Sequence, residues 1–179
     1  MPEYANYPER QAIGDFALAP EGEQQAVLCD VENLGEKPIA WKGTVKMKQR
    51  IALYFISEHK ASGRPITVRE EFTNSLWETA RLRKFLGKWR GQPLTEDECR
   101  KFDLESLIGV NAMLTISHNK TPKRTYANIE AIRAYKGDIK LYVPVDYIRK
   151  RDRAKQQQSA GEPRFEHSDH DDYDADIPF

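Results

Sequence analysis

The sequence predicts a mainly β (α+β) domain followed by a polar, acidic C-terminal segment. The chain has 179 residues, 39% of them hydrophobic and 31% charged, which is enough for one ordinary domain with a modest core. Several short stretches alternate apolar and polar residues with a period of two, which is typical of half-buried strands. Helical spacing is confined to residues 75–107 in the middle of the chain. Together these observations favour an antiparallel sheet with one or two inserted helices.

The first strands are predicted between residues 14 and 57. Residues 1–13 show no periodicity and are predicted to form a flexible arm, whereas FALA and AVLCDV have the pattern of strands separated by the turn-forming PEGE. The clearest strand covers residues 41–57. One alternation of this strand is predicted to face the core and consists of Val45, Met47, Ile51, Leu53 and Phe55. The opposite alternation is basic and consists of Lys42, Thr44, Lys46, Lys48, Arg50 and Tyr54. A solvated, lysine-rich outer face is the alternative interpretation of this pattern.

The middle of the chain is predicted to be helical. After a loop at EHKASGRP and a short strand at PITVREEF, Ser75-x-x-Glu78 has the pattern of a capping box. The apolar stripe around it consists of Leu76, Ala80, Leu82, Phe85, Leu86 and Trp89. Trp77 and Trp89 both fit this apolar side, so core packing is preferred to base stacking for each. A second capping box, Thr95-x-x-Glu98, predicts another helix that ends before Gly109.

The end of the domain is predicted to return to strands. NAMLTISHN and RTYANIEAIRAY have the pattern of a hairpin around the turn KTPK, and Leu141–Val145 is predicted as a last short strand. From about Ile148 the sequence is polar without a core pattern, which predicts a flexible linker over residues 148–170 before the acidic residues 171–179. The preferred architecture is an OB-fold-like antiparallel five-stranded barrel with inserted helices, formed by residues 14–147.

The charges are divided unevenly along a chain whose net charge is zero. Residues 159–179 contain seven acidic residues and one basic residue, so residues 1–158 contain 27 basic and 21 acidic residues. The domain therefore carries a net charge of about +6 and the C-terminal segment about −6. Such an asymmetry favours a domain that binds nucleic acid and a tail that interacts with other macromolecules.

Enzyme and metal chemistry receive little support from the sequence. It lacks the G-x-S-x-G, Walker, H-E-x-x-H and G-x-G-x-x-G motifs. Cys29 and Cys99 are far apart and predict neither a disulfide framework nor a zinc site. The pair His167-x-x-His170 lies in the predicted flexible segment, which does not preorganise metal ligands. Three carboxylates are available to a nuclease without a spacing that links them: Asp103, Glu105 and Asp146. We therefore expect a non-enzymatic protein with no cofactor and no metal.

Binding of single-stranded nucleic acid has stronger support. Such proteins combine a positive groove for the phosphates with aromatic rings on which bases stack, and stacking contributes roughly 1–3 kcal/mol per base. Basic and aromatic residues share the strand over residues 41–57 and recur around the KTPK turn. Tyr126 and Arg133 lie on opposite alternations, so only one of them faces a shared groove unless a bulge intervenes. The predicted DNA contacts are Trp41, Lys46, Lys48, Arg50, Tyr54, Arg124, Tyr126 and Arg133.

The last nine residues, DDYDADIPF, join four aspartates to an apolar tripeptide. Phe179 suits a small apolar pocket, its α-carboxylate suits a cation beside that pocket, and Pro178 reduces the entropy lost on docking. The aspartates accelerate the encounter with a basic surface, and salt weakens this attraction. The predicted protein-interaction tip consists of Asp171, Asp172, Asp174, Asp176, Ile177, Pro178 and Phe179.

This tip closely resembles the C-terminal tip of bacterial single-stranded-DNA-binding proteins (SSB), in which acidic residues precede a terminal Ile-Pro-Phe. The stretches LIGVNAMLTISHN and RTYANIEAI are similar to those of short phage-encoded SSB proteins of OB-fold type. The resemblance implies a domain that coats and protects single-stranded DNA during DNA replication, recombination or repair. It also implies that the tip recruits host enzymes of these processes.

Location and partners follow from these features as expectations. The first residues lack the pattern of a signal peptide, and no stretch is apolar over the roughly 18 residues of a membrane span. We therefore expect a cytoplasmic, nucleoid-associated protein of a bacterial or bacteriophage-infected cell, with no membrane partner and with homo-oligomerisation left open. Two alternatives are an adaptor or decoy that sequesters host proteins that bind SSB tips, and a nuclease or recombination enzyme that carries such a tip. Because the −6 tail is tethered to a +6 domain, the tail is also predicted to compete with DNA at low salt.

Overall fold

The computed structural model describes residues 17–159, which form five strands, three α-helices and a 3₁₀ turn. The strands are β1 (Gly22–Trp41), β2 (Thr44–Ala61), β3 (Arg64–Thr73), β4 (Asn111–Lys120) and β5 (Thr125–Ala134). The helices are α1 (Arg81–Arg90), α2 (Glu96–Lys101) and α3 (Lys150–Ser159), and the 3₁₀ turn covers Leu104–Leu107. The predicted N-terminal arm (residues 1–13) and the predicted tip (residues 171–179) lie outside the described residues.

The strands form one antiparallel sheet in the order β3-β2-β1-β4-β5. β1 lies at the centre because its 20 residues serve two partners, β4 over Gly22–Val27 and β2 over Ala26–Trp41. Bulges between Leu28 and Asp30 and just after Asn33 interrupt the pairing with β2, and bulges increase the local twist of a sheet. The outer strands β3 and β5 contact each other, so the sheet curves back on itself. The predicted mainly β fold with a five-stranded antiparallel sheet is confirmed.

Two-residue turns close the first two hairpins. The β1–β2 turn is Lys42-Gly43, with φ angles of 48° and 76°, and the β2–β3 turn is Ser62-Gly63, with φ angles of 50° and 75°. Positive φ at both central residues is the type I′ pattern, whose twist matches that of the paired strands. Glycine takes the second position in each turn because it has no Cβ to oppose a positive φ. The strand predicted over residues 41–57 therefore begins at Thr44, after this turn.

The main core lies between the inner face of the sheet and α1. Its fully buried large side chains are Phe55, Phe72, Leu28, Leu53, Leu82 and Leu114. α1 adds Leu82, Leu86 and Trp89, which lie on one side of the helix at the spacing of an amphipathic stripe. The indole N–H of Trp89 donates a hydrogen bond to the Asn111 carbonyl (3.0 Å), which satisfies its one polar atom inside the core. The prediction that Trp89 is a core residue is confirmed.

A second apolar cluster covers the outer face of β1 and β2. Its buried members are Val27, Cys29, Ala52, Tyr54 and Ile56. Residues 139–149, here called the strap, cross this cluster and pack Leu141, Val143 and Tyr147 against it. The strap is irregular, so the prediction of a strand over Leu141–Val145 is wrong. The alternation that suggested a strand arises because Leu141 and Val143 point inward and Tyr142 outward, without a backbone ladder to the sheet.

Hydrogen bonds hold both ends of the strap. At its start, the Leu141 N–H donates to Asn111 Oδ1 (2.8 Å) and Asn111 Nδ2 donates to the Leu141 carbonyl (2.9 Å). At its end, the fully buried carboxylate of Asp30 accepts hydrogen bonds from Tyr147 Oη (3.2 Å), Arg149 Nε (3.0 Å) and the Lys150 amide (2.6 Å). A buried carboxylate requires several donors, so Asp30 ties the strap and the start of α3 to the centre of β1.

α1 begins later than the sequence predicts. Its first residue is Arg81, and the residue before it, Ala80, provides no side-chain cap. The Ser75 hydroxyl does not cap a helix; it accepts a hydrogen bond from the Trp77 N–H (3.3 Å) and so stabilises a turn before the helix. The prediction of a helix from Ser75 is wrong because serine also stabilises turns of this kind.

The second helix is shorter than predicted, and a third helix forms where a linker was predicted. The capping box Thr95–Glu98 is confirmed at the start of α2, but α2 ends at Lys101 and a 3₁₀ turn follows. The first part of the predicted linker (residues 148–170) forms α3, and its remainder from residue 160 lies outside the described residues. Among the helices described here, none has the length and apolar character needed to cross a membrane.

Candidate nucleic-acid interface

The β1–β2 hairpin extends past the rest of the sheet as an arm, defined here as residues 37–50. Pairing of β3 with β2 starts at Arg50–Thr73, and pairing of β4 with β1 ends at Val27, so the arm has no neighbouring strand along most of its length. This position explains why the prediction that Val45 and Met47 face the core is wrong. Their side chains are 65% and 56% exposed, because no element within residues 17–159 covers that face of the arm.

The arm is strongly basic. It contains no acidic residue and five basic residues: Lys37, Lys42, Lys46, Lys48 and Arg50. In the β1–β2 register Lys37 lies opposite Lys48 and Ile39 opposite Lys46, and residues opposite each other in an antiparallel pair project to the same face. Trp41 follows Ile39 by two residues and shares this face. We call this surface the basic face; it consists of Lys37, Ile39, Trp41, Lys46, Lys48 and Arg50.

The end of the arm presents an aromatic ring to solvent. Trp41 is 68% exposed, and the Lys42 ammonium lies 5.8 Å from the centroid of its ring. The residue opposite Trp41 is the small Thr44, which leaves the indole uncovered. An exposed indole beside several lysines combines the two features that single-strand binders use, a stacking surface and cations for the phosphates.

Arg50 lies at the base of the arm, where its guanidinium is held in place. Its Nη1 donates to Thr73 Oγ1 (3.0 Å), and its Nη2 lies 3.5 Å from a carboxylate oxygen of Glu71. Glu71 also pairs with Arg69 (2.5 Å) and approaches Lys37 (4.0 Å). One carboxylate is thus surrounded by three cations, and the positive charge of the basic face continues to the edge of β3.

The β4–β5 hairpin forms a second basic end. Thr121 and Arg124 close its turn, because the Thr121 N–H donates to the Arg124 carbonyl (2.9 Å) and the Arg124 N–H donates to Thr121 Oγ1 (3.2 Å). The Arg124 guanidinium stacks on the ring of Tyr126 at 4.6 Å from its centroid. Lys120, just before the turn, and Lys123, within it, are both exposed. The structure therefore brings Arg124 and Tyr126 together as one exposed cation–aromatic pair.

The two basic hairpins lie at opposite ends of β1. Trp41, at the C-terminal end of β1, lies at the tip of the arm, whereas Gly22, at the N-terminal end, pairs with Ile116. β4 continues from Ile116 to Lys120, past the start of β1. The predicted contacts thus fall into two groups along the central strand, Trp41 to Arg50 in one and Arg124 with Tyr126 in the other.

Tyr54 belongs to neither group of exposed contacts, because its side chain is buried. It lies in the second apolar cluster under the strap, and only 7% of it is exposed. Its hydroxyl donates to Glu32 Oε2 and accepts a hydrogen bond from Arg69 Nε (3.0 Å). Burial, together with the hydrogen bond to Glu32, raises the pKa of Tyr54 to about 12. The Lys150 ammonium lies 5.1 Å from the ring centroid, so the ring face that a base would need is already occupied.

Arg133 lies on β5, and its side chain reaches across β4 to Glu23 on β1. Its guanidinium donates two hydrogen bonds to Glu23, from Nε to Oε1 (3.2 Å) and from Nη2 to Oε2 (3.1 Å). These hydrogen bonds hold the pKa of Glu23 below its ordinary value. Arg133 is therefore neutralised locally, and it lies apart from the arm and from the β4–β5 turn.

Lys37 and Trp77 are two residues near the basic face that the sequence interpretation did not include in the site. Lys37 joins the basic face through the register of β1 with β2, and the signal for it was the Lys42-Gly43 turn, since a residue pair ending in Gly between alternating stretches indicates a hairpin. Trp77 is 74% exposed, so the preference for core packing is wrong for this residue. The helical pattern that placed it in the core begins four residues later, at Arg81.

The carboxylates available to a nuclease have other contacts. Asp103 accepts a hydrogen bond from the Glu105 N–H (3.0 Å) at the start of the 3₁₀ turn. Both carboxylate oxygens of Glu105 accept hydrogen bonds from Arg149 (2.5 and 2.9 Å). Asp146 is exposed in the strap. Within the described part of the chain, no three His, Cys, Asp or Glu side chains are grouped to hold a metal ion; His167 and His170 lie outside it.

Known proteins provide no assignment for this site. No family model, no curated protein and no solved structure matches the chain. The function is therefore inferred from the placement and chemistry of the side chains described above.

Proposed function

We propose that this protein binds single-stranded DNA without catalysis, through a barrel of OB-fold type. Three features of the fold support that type: β1 pairs with both β2 and β4, β5 contacts β3, and α1 follows β3 and closes the core. OB-fold barrels bind oligonucleotides on the face of strands 2 and 3 and with the loops that join strands 1–2 and 4–5. These two connections are the two basic hairpins of the present chain.

The observation that carries the proposal is the basic face of the arm. Its lysines, an arginine and the exposed Trp41 are aligned on one side of a two-stranded ribbon that has no acidic residue. A solvated surface does not require a large exposed indole, whereas base stacking does. Lysines spaced along the ribbon offer successive contacts to a phosphate backbone, and the release of counterions then provides most of the affinity. Binding of this kind depends strongly on salt and weakly on base sequence.

We extend the proposal to residues 171–179, on the basis of their sequence. Asp171, Asp172, Asp174 and Asp176 with Ile177-Pro178-Phe179 form an acidic and apolar peptide that suits a basic surface with a small apolar pocket. The protein thereby recruits replication, recombination or repair proteins to the single strand that it coats. An adaptor or decoy that uses only the tip is the second candidate.

Titration of the full-length protein with labelled oligo(dT), and with duplex DNA of the same length, tests the proposal. We expect preferential binding of oligo(dT) with a steep decrease in affinity as salt increases. In the variant Lys46→Gln/Lys48→Gln, the slope of log K against log salt should become less negative by about 1.4, because each phosphate contact on a single strand contributes about −0.7.

The double variant Lys88→Gln/Lys101→Gln is the matched control. It removes the same charge from exposed positions on α1 and α2, away from the arm, and should leave the slope close to that of the wild type. The proposal fails if the wild-type protein does not bind oligo(dT) or binds duplex equally well. Magnesium-dependent cleavage of the oligonucleotide would favour a nuclease, and tip-dependent protein binding alone would favour the adaptor.

A further inference from the structure

A cleft of about 410 Å³ opens at the base of the arm, between the arm and the segment that joins β3 to α1. Its lining combines cations with aromatic rings and a hydroxyl; the residues that matter are Lys48, Arg50, Phe72, Thr73, Trp77 and Arg81. Lys48 and Arg50 also belong to the basic face of the arm. The cleft is therefore continuous with the surface described above, although Trp77, Phe72 and Arg81 were not part of it.

Trp77 has a fixed backbone and a free ring. The Asn74 N–H donates to the Gln49 carbonyl at the base of the arm (2.8 Å), and the Ala80 N–H donates to the Trp77 carbonyl (2.9 Å). The Trp77 N–H itself donates to the Ser75 hydroxyl (3.3 Å). These bonds hold the turn against β2 while the indole stays 74% exposed. A ring presented from a fixed backbone loses little entropy when a base stacks on it.

The cations of the cleft are held in position by their own contacts. The Arg81 guanidinium lies over the Phe72 ring at 4.7 Å from its centroid, and its Nη1 donates to the Glu71 carbonyl (3.0 Å). Arg81 also pairs with the Glu70 carboxylate, as Arg50 does with that of Glu71. The exposed ammonium of Lys48 has no carboxylate partner among the residues described, so it supplies the uncompensated positive charge. The first turn of α1, which borders the cleft, contains no acidic residue.

We propose that this cleft is a second nucleotide-binding subsite, in which an unpaired base stacks on Trp77 and the adjoining phosphate contacts Lys48 and Arg50. The inference rests on the proposed function, because it extends the path of the same DNA strand. The strand runs from Trp41 along the basic face and reaches Trp77 at its base. The arm residues between Thr44 and Arg50 separate the two ends by about 20 Å, at roughly 3.3 Å per strand residue. An oligonucleotide that spans both ends contacts two exposed indoles.

The variants Trp77→Ala and Trp77→Phe in the full-length protein test the subsite, with binding of labelled oligo(dT) measured by fluorescence anisotropy. Trp77→Ala should weaken binding about ten-fold, which corresponds to the loss of one stacked base. Trp77→Phe retains an aromatic ring and should preserve most of the affinity. Both variants should unfold at the temperature of the wild type, because the indole packs little surface in the folded chain.

A second readout observes Trp77 directly. In the variant Trp41→Phe the remaining tryptophans are Trp77 and Trp89, and Trp89 is buried with its N–H bonded to Asn111. Quenching of the tryptophan emission by oligo(dT) in this variant therefore reports on Trp77. We expect quenching that saturates in parallel with the anisotropy.

The outcomes separate the subsite from the proposed function. If the wild-type protein does not bind oligo(dT), the proposed function fails and the subsite with it. If the wild-type protein binds but Trp77→Ala binds equally well, or if the Trp41→Phe variant binds oligo(dT) without quenching, the subsite alone is overturned. Support requires both the weaker binding of Trp77→Ala and the quenching in Trp41→Phe.

Discussion

Trp41, Tyr54 and Trp77 are three aromatic residues with similar chemistry and different surroundings. Trp41 lies at the end of a ribbon without neighbouring strands, and Trp77 lies on a turn outside the core, so both rings are exposed. Tyr54 follows Arg50 on the same alternation of β2, but at its position the strap covers the outer face of the sheet. Only exposed rings are available for stacking, so burial determines which aromatic residues serve the proposed site.

The two cysteine thiols also differ in exposure, and their reactivity with a thiol reagent measures this difference. Burial raises the pKa of the Cys29 thiol to about 11, and its Sγ donates to the Tyr54 carbonyl (3.2 Å). At pH 8 this thiol is protonated and covered, whereas Cys99 is only half-buried. We expect a thiol reagent such as DTNB to label one thiol of the native protein rapidly and the second only after unfolding. Cys99→Ala should abolish the rapid reaction and Cys29→Ala should preserve it; the reverse result would contradict the assignment.

At the scale of elements, the arm and the strap divide the outer surface of β1 and β2. The arm leaves its part of the two strands uncovered and basic. The strap covers the part that carries Val27, Ala52 and Ile56, and it ends in an ion-pair network formed by Asp30, Arg149 and Glu105. On the proposed path, a DNA strand that follows the arm past Arg50 reaches the strap, with Tyr54 beneath it. From Arg50 the other direction, toward the cleft and the exposed Trp77, is not covered by the strap.

The network at the end of the strap predicts a pH dependence of stability. Hydrogen bonds from Arg149 hold the pKa of Glu105 below its ordinary value of 4.5. Because the pKa is lower in the folded state than in the unfolded state, the stabilisation is complete above about pH 4.5 and is lost as the pH falls through the folded pKa. Glu105→Gln should lower the free energy of unfolding at pH 7 by about 1 kcal/mol or less, since the pair is partly exposed.

Denaturant unfolding of the wild type and of Glu105→Gln between pH 3 and pH 7 measures this effect. The difference between the two proteins should be largest near neutral pH and should vanish at the acidic end. Asp97→Asn is a control on a neighbouring helix, because Asp97 is almost fully exposed and lies 3.9 Å from Arg100. A difference between wild type and Glu105→Gln that stays constant over the whole range would contradict the role given to Glu105.

At the scale of the whole molecule, opposite charges are carried by one chain. Residues 1–158 have 27 basic and 21 acidic residues, and residues 159–179 have one basic and seven acidic residues. The basic residues of the arm are the densest positive group next to an exposed indole, so they are the natural target of the acidic segment when DNA is absent. Such competition is electrostatic and weakens as salt is added.

Deletion of residues 171–179 should therefore strengthen the binding of oligo(dT) at low salt and have little effect at high salt. Affinities measured for the full-length and the shortened protein at two salt concentrations test this expectation. A control replaces Asp171, Asp172, Asp174 and Asp176 by asparagine and keeps Ile177-Pro178-Phe179; it should behave like the deletion, because the charge causes the effect. Equal affinities of all three proteins at low salt would contradict the competition.

The fold class and several elements were predictable from local patterns. The strand character of β2, the β4–β5 hairpin around its turn, the Thr95–Glu98 capping box and the core position of Trp89 all depend on neighbouring residues, and the structure confirms them. Local patterns are informative here because side-chain direction repeats with a period of two in strands and 3.6 in helices. The predictions for Val45, Met47, Trp77 and the strap were wrong for a common reason: each depends on whether a distant segment covers the residue.

The sequence by itself determined the alternation of apolar and basic residues, the separation of charge along the chain and the acidic, apolar character of residues 171–179. The tertiary structure decided where the sheet ends and the arm begins, which aromatic rings are covered, and that the basic face meets Trp77 in one cleft. The physical reason is that periodicity specifies the direction of a side chain relative to its own backbone. Exposure depends on segments far away in the sequence, such as β3, which stops at Thr73, and the strap, which covers Tyr54.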